Sequence, residues 1–184
     1  LCGEPPEGAS GLPHVKVDDR AGAAAMTEHL LNRVQGRIGL LTGPQNSVSS
    51  ANRLAGYRDA LGDDFSDRFV MECDADSAYA GETGMRSLLE RVPYLDAVFA
   101  TSDLLAHGAL RALDRAGRRI PEDIAVGGFD DSILAAMSTP QLTSVHVPYD
   151  EIAQAAVDLI AAKLEDQTAE PVRVTCRLVE RAST

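Results

Sequence analysis

The sequence predicts an α/β fold: a mainly parallel sheet with helices on both faces. Short β-rich runs alternate along the chain with amphipathic segments of helical length. Runs such as RIGLL (37–41) and DIAVGGF (123–129) are almost wholly apolar, as strands covered on both faces must be. Strands and helices in strict alternation imply βαβ units and therefore parallel pairing.

Each element has a local reason. HVKV (14–17) reads as a strand, and a helix from about 21 to 34 follows, with Ala23, Met26, Leu30 and Val34 near helical spacing and Gly36 closing it. After the strand 37–41, the turn TGPQNSVSS leads into a helix from about 50 to 61 that Gly62 stops. In that turn Ser49 or Ser50 either caps the helix or opens backbone N–H groups to a polar ligand. RFVMEC (68–73) is a strand, and the helix 77–91 carries Met85, Leu88, Leu89 and Val92 as its apolar set. DAVFAT (96–101) is a strand, with Ser102 as N-cap of the next helix, Leu105, Ala109, Leu113 and Ala116 on its apolar face, and Gly117 beyond its end. Beyond the strand 123–129 the rhythm changes. An irregular stretch around Pro140 precedes the strand LTSVHV (142–147), a helix 150–164 with Ile152, Ala156, Leu159 and Leu164 inward, and a final strand 172–180.

A chain of 184 residues can build one domain or two small lobes. No apolar stretch approaches the ~20 residues that span a bilayer, so no membrane partner is expected. LCGEPPEGAS has neither the basic nor the apolar region of a secretory signal, although a chain opening at Leu1 looks like part of a longer protein. The formal charge is −11, and only Lys16 and Lys163 are lysines. The densest basic cluster, Arg111, Arg115, Arg118 and Arg119, fits a solvated helix face better than a phosphate-binding surface, so this segment by itself should not bind DNA. Cys2, Cys73 and Cys176 are odd in number and far apart, which fits a reducing compartment, the cytoplasm.

In parallel sheets ligands bind outside the C-terminal strand ends. That edge comprises 42–50, 73–77, 101–103 and 129–132, and it includes GGFDDS (127–132) with its paired acids. Four scattered histidines, with no HExxH motif, argue against a metal site. There is no GxSxG, no P-loop ending and no GxGxxG, and neither lysine stands where a receiver domain needs one. No enzyme and no cofactor is expected. Arg53, Ser102, Asp103, Asp130 and Asp19 remain as fixed hydrogen-bonding groups, and carboxylates with an arginine fork are suited to polyols. Each also has a structural alternative, such as Asp103 serving a helix dipole.

VDDRAGAAAMTEHLL, IGLLTGP, RLAGYRDAL, DAVFATSDLLAHGALRAL, RRIPEDIAVGGFDDS and PQLTSVHVPYDEIAQAAVDLI occur in this order. Together they resemble the effector-binding module of LacI/GalR-type transcriptional regulators, over about 14–180. The resemblance implies a periplasmic-binding-protein-like I fold, chiefly its C-terminal lobe (36–145 and 172–180). Residues 14–35 and 146–168 would be crossover or N-terminal-lobe elements, and the DNA-binding head would lie outside the chain. Arg53 matches the arginine that clamps the effector, and Asp130 the acid that takes ligand hydroxyls. Ser102 stands where asparagine is common, Asp103 follows it, Phe129 precedes the acid, Asp19 sits on the first crossover and Tyr149 at an aromatic lining position. Val147 departs from the polar residue relatives carry. The effector would be a sugar, polyol or nucleoside. It would shift the population between two arrangements of a homodimer that meets its DNA operator through the head. A periplasmic sugar-binding protein of a transporter, which shares the fold, is the alternative.

Overall fold

The computed structural model describes residues 12–34, 36–165 and 169–184. Cys2, the segment LCGEPPEGAS and the end of the 146–168 stretch lie outside the described residues. The chain divides into a smaller unit, Leu1–Asp18 with Val147–Cys176, and a larger one, Asp19–His146 with Arg177–Thr184.

The smaller unit pairs β1 (Val15–Val17) with β7 (Val172–Val174) in parallel, Val15 opposite Val172. Its helix α6 (Tyr149–Leu164) buries no residue, and Leu164, expected inward, is exposed. The stripe through Ile152, Ala156 and Leu159 is half covered.

The larger unit is built on a six-stranded sheet in the order β3-β2-β4-β5-β6-β8. These strands are β2 (Ile38–Thr42), β3 (Val70–Glu72), β4 (Ala97–Ala100), β5 (Ala125–Asp130), β6 (Thr143–His146) and β8 (Arg177–Val179). All pairs are parallel except β6–β8. The run expected as one strand over 172–180 is thus two, β7 and β8, one in each unit.

Helices α1 (Asp19–Leu31), α2 (Val48–Leu61), α3 (Ala78–Arg91) and α4 (Asp103–Arg115) cover the sheet, and α1 packs on α2 rather than joining the smaller unit. The apolar stripes read from the sequence supply the core: Ala23, Met26 and Leu30 from α1, Met85 and Leu88 from α3, Leu105, Ala109 and Leu113 from α4. On the α3–α4 side they close over Leu41, Val98 and Val126 of the sheet. Tyr57 is buried and donates to the Ile38 carbonyl at 2.8 Å, which seats α2 on β2.

A short helix, α5 (Ile133–Met137), lies in the stretch expected to be irregular. Its five residues are too few for a readable periodicity. The double glycine of β5 serves packing: a Cβ on Gly127 would overlap the Met26 thioether, and one on Gly128 would come within 2.7 Å of Leu142.

Candidate functional site

Helices α2, α3 and α4 of the larger unit begin at the C-terminal edge of the parallel strands, and each is capped by a serine. Ser47, not Ser49 or Ser50, caps α2 by accepting from Ser50 N at 3.4 Å. Ser77 Oγ accepts from Ala80 N and Ser102 Oγ from Leu105 N, both at 3.2 Å. Extended backbone at each serine lets the side chain reach forward to an orphan N–H of the first turn.

One turn into α2, Arg53 lies across this edge. Its Nε donates to Asp19 Oδ1 at 2.7 Å, and its NH1 donates to the Thr101 carbonyl at 2.6 Å and faces Asp130 Oδ1 at 3.2 Å. The guanidinium carbon stands 3.8 Å from the centre of the Phe129 ring, a cation–π contact. Four segments of chain therefore hold one planar cation: the start of α1, α2, the end of β4 and the end of β5. The side chains of Arg53 and Asp130 are 13 % and 24 % exposed, enough to present an edge to a ligand. Burial pushes the Asp130 carboxyl up to about 7, with Asp103 and Asp76 adding to the rise and Arg53 opposing it.

Asp130 and Asp131 have φ of 104° and 51°, left-handed backbone that non-glycine residues rarely adopt. Such conformations cost about 1–3 kcal/mol each and persist where surrounding bonds hold them. Here Asp131 N donates to Ser144 Oγ at 3.1 Å, and Ser132 N donates to Asp103 Oδ2 at 2.6 Å. The turn aims Asp130 along the edge and sends Asp131 the other way. Asp131 accepts from Arg181 at 2.6 Å and meets His146 Nδ1 at 2.9 Å, joining β6 to the C-terminal segment. It is an internal tie that partners the His146 ring at the end of β6.

The sequence-predicted residues thus separate by depth. Arg53, Asp19 and Asp130 come together as one cluster. Asp103 is 1 % exposed and accepts from Ser132 N, Ser132 Oγ and Ser144 Oγ, so it holds β6 and the turn after β5 in place from behind. Three donors from the protein occupy its carboxylate, and burial raises its pKa. Phe129 is fully buried and lies against the Arg53 guanidinium. Ser102 is buried as well, and its hydroxyl donates to Asp76. Tyr149 belongs to the smaller unit and is exposed.

Sequence reasoning missed Asp76. It is an exposed acid in the loop after β3, within the segment 73–77 already recognised as part of the edge, but with no motif to single it out. Among the described residues no group of three or more His, Cys, Asp or Glu side chains could hold a metal ion.

Residues 27–184 match the family described as periplasmic binding protein-like domain. The chain belongs to that family. Within the family it is similar to LacI-type regulators, as the sequence motifs implied. It is 39 % identical over 167 residues to the HTH-type transcriptional regulator CelR of Thermobifida fusca, covering 89 % of this chain and 48 % of the relative. It is 35 % identical to the ribose operon repressor of Escherichia coli, covering 88 % of this chain and 50 % of that protein. Among solved structures, a transcriptional regulator CelR–cellobiose complex superposes with a TM-score of 0.92 at 36 % identity, over 100 % of this chain and 57 % of that one. The chain spans about half the length of the curated relatives it matches. These relatives are regulators, which favours a regulator's effector-binding domain over a transporter's binding protein. No helix among the described residues is long and apolar enough to cross a membrane.

Proposed function

We propose that this chain is the effector-sensing part of a cytoplasmic LacI-type transcriptional regulator, and that Arg53 and Asp130 hold the effector's hydroxyl groups. The observation that carries the reading is the Arg53 clamp, fixed by Asp19, the Thr101 carbonyl, Asp130 and the Phe129 ring at the strand-end edge. An immobilised fork of N–H donors beside a carboxylate acceptor suits vicinal hydroxyls, each of which donates and accepts. Asp19 orients the arginine, and Ser102 orients Asp76. The cluster offers binding without a nucleophile–base pair, so the role is recognition and not turnover.

The CelR complex holds cellobiose, which makes cellobiose the first effector to test, followed by ribose. Binding biases the regulator between two conformational states and so changes its grip on the operator, a linkage in which DNA and effector oppose or assist each other equally. DNA contact belongs to a head domain of the longer protein. A homodimer fits the exposed apolar side chains Tyr79, Leu104, Ile133 and Met137 near the starts of α3 and α4 and along α5.

The decisive experiment uses the full-length regulator and an operator fragment. An effector should shift operator affinity in the parent, and the folded fraction of Arg53→Ala should bind the operator without that shift. An Arg53→Ala protein that still responds at the same effector concentration overturns the site.

A further inference from the structure

We infer that the strand-end site of the larger unit selects uncharged, hydroxyl-rich effectors over anionic ones, with Asp76 as a specificity-determining residue. The inference rests on the effector-binding reading above and narrows its ligand class.

The charges on the edge are unbalanced. Arg53 is the cation of the cluster, and three of its five N–H groups are committed to Asp19, Thr101 and Asp130, with one face covered by Phe129. Around it stand the carboxylates of Asp19, Asp130 and Asp76, with Asp103 behind them. An incoming phosphate or carboxylate therefore meets a guanidinium already neutralised by acids that remain close at hand.

The usual alternative for an anion is a helix N-terminus with open N–H groups. Of the helices that start at this edge, α2, α3 and α4 each have one first-turn N–H taken by their own serine, Ser47, Ser77 and Ser102, α1 starts on the acid Asp19, and the N–H of Ser132 before α5 is bound by Asp103. Ser102 goes further, because its hydroxyl donates its proton to Asp76 and so holds a negative charge at the mouth of α4. Asp76 is exposed, and a carboxylate with one such donor still accepts from others. Burial pushes the Asp130 carboxyl up to about 7, Arg53 opposes the rise, and Asp103 and Asp76 add to it. Hydroxyl donors can bind to these carboxylates, whereas an added anion is repelled by them.

The test is calorimetry on the full-length regulator with matched pairs of probes: cellobiose and cellobionate, ribose and ribose 5-phosphate, adenosine and adenosine monophosphate. The neutral member of the recognised pair should bind at least tenfold tighter than its anionic counterpart. Asp76→Asn, at an exposed position where folding is not at risk, should shrink that ratio at least threefold by strengthening the anion. Equal or tighter binding of the anionic member overturns the charge selection. A ratio unchanged by Asp76→Asn removes Asp76 from it. A regulator that binds the neutral sugar selectively but never alters its operator affinity would instead sink the regulatory reading, leaving charge selection standing.

Discussion

Arg53 concentrates more of this protein's chemistry than any other side chain described. Removing it leaves Asp19 and Asp130 without their cation in a partly buried setting. Arg53→Ala should therefore lose about 3 kcal/mol of folding stability, measured by urea denaturation, as broken buried ion pairs do. Effector affinity should fall by about 1–3 kcal/mol beyond any unfolding, read by calorimetry on the folded fraction. Arg53→Lys should recover stability before affinity, because an ammonium restores charge but not the planar fork. Asp130 gives a second residue-scale outcome. Its carboxyl titrates near 7 in the folded state against about 3.9 unfolded. Between those values the folded protein holds more protons than the unfolded chain, so this group's contribution is present below about pH 4 and is lost as pH rises through 7. Asp130→Asn should gain stability relative to the parent between pH 4 and pH 8, measured by urea titrations at both ends. A difference that stays flat across that range would return the group to its ordinary pKa.

At the scale of elements, the site depends on how closely α1 and α2 approach. A Cβ on Gly56 would overlap the Arg20 carbonyl oxygen and stand 3.0 Å from Ala23 Cβ, so the two helices touch along their backbones there. The same contact sets the distance between Asp19 on α1 and Arg53 on α2. Gly56→Ala should cost about 1–3 kcal/mol by overpacking and should also weaken effector binding, although Gly56 touches no ligand. Loss of stability with unchanged affinity would show that the clamp tolerates the helix shift. The Asp131 tie makes a complementary case. Its carboxylate holds Arg181 and His146 at the antiparallel end of the sheet. Asp131→Ala should destabilise by about 2 kcal/mol through charge-assisted bonds left unmade, visible as earlier unfolding in urea.

At the scale of the molecule, several large apolar side chains of the described residues stay exposed. Tyr79, Leu104, Ile133 and Met137 are all exposed, on elements whose other faces are packed into the core. The proposed homodimer would bury such groups, and an interface residue near its centre can cost more than about 1 kcal/mol when altered. Ile133→Glu should raise the dimer dissociation constant at least tenfold in sedimentation experiments, with the monomer's circular dichroism unchanged. An unaltered dimer would move the interface elsewhere.

Periodicity and end signals by themselves determined the strand–helix alternation, the buried stripes of α1, α3 and α4 and the serine cap of α4, because each depends on residues within a turn or two of one another. The ordered motifs determined the family, and with it Arg53 and Asp130 as partners. Tertiary structure alone decided which acids look outward. Asp103 and Asp131 read in sequence like Asp130 and Asp76, yet serines from β6 and the turn fill the first and Arg181 claims the second. Those partners lie up to 50 residues away in the chain, beyond any local pattern. Sequence separation also hid what the two glycines before Phe129 make room for, Met26 at Gly127 and Asp103 and Leu142 at Gly128. A carboxylate's role is set by what fills its lone pairs, and only the folded chain fixes that.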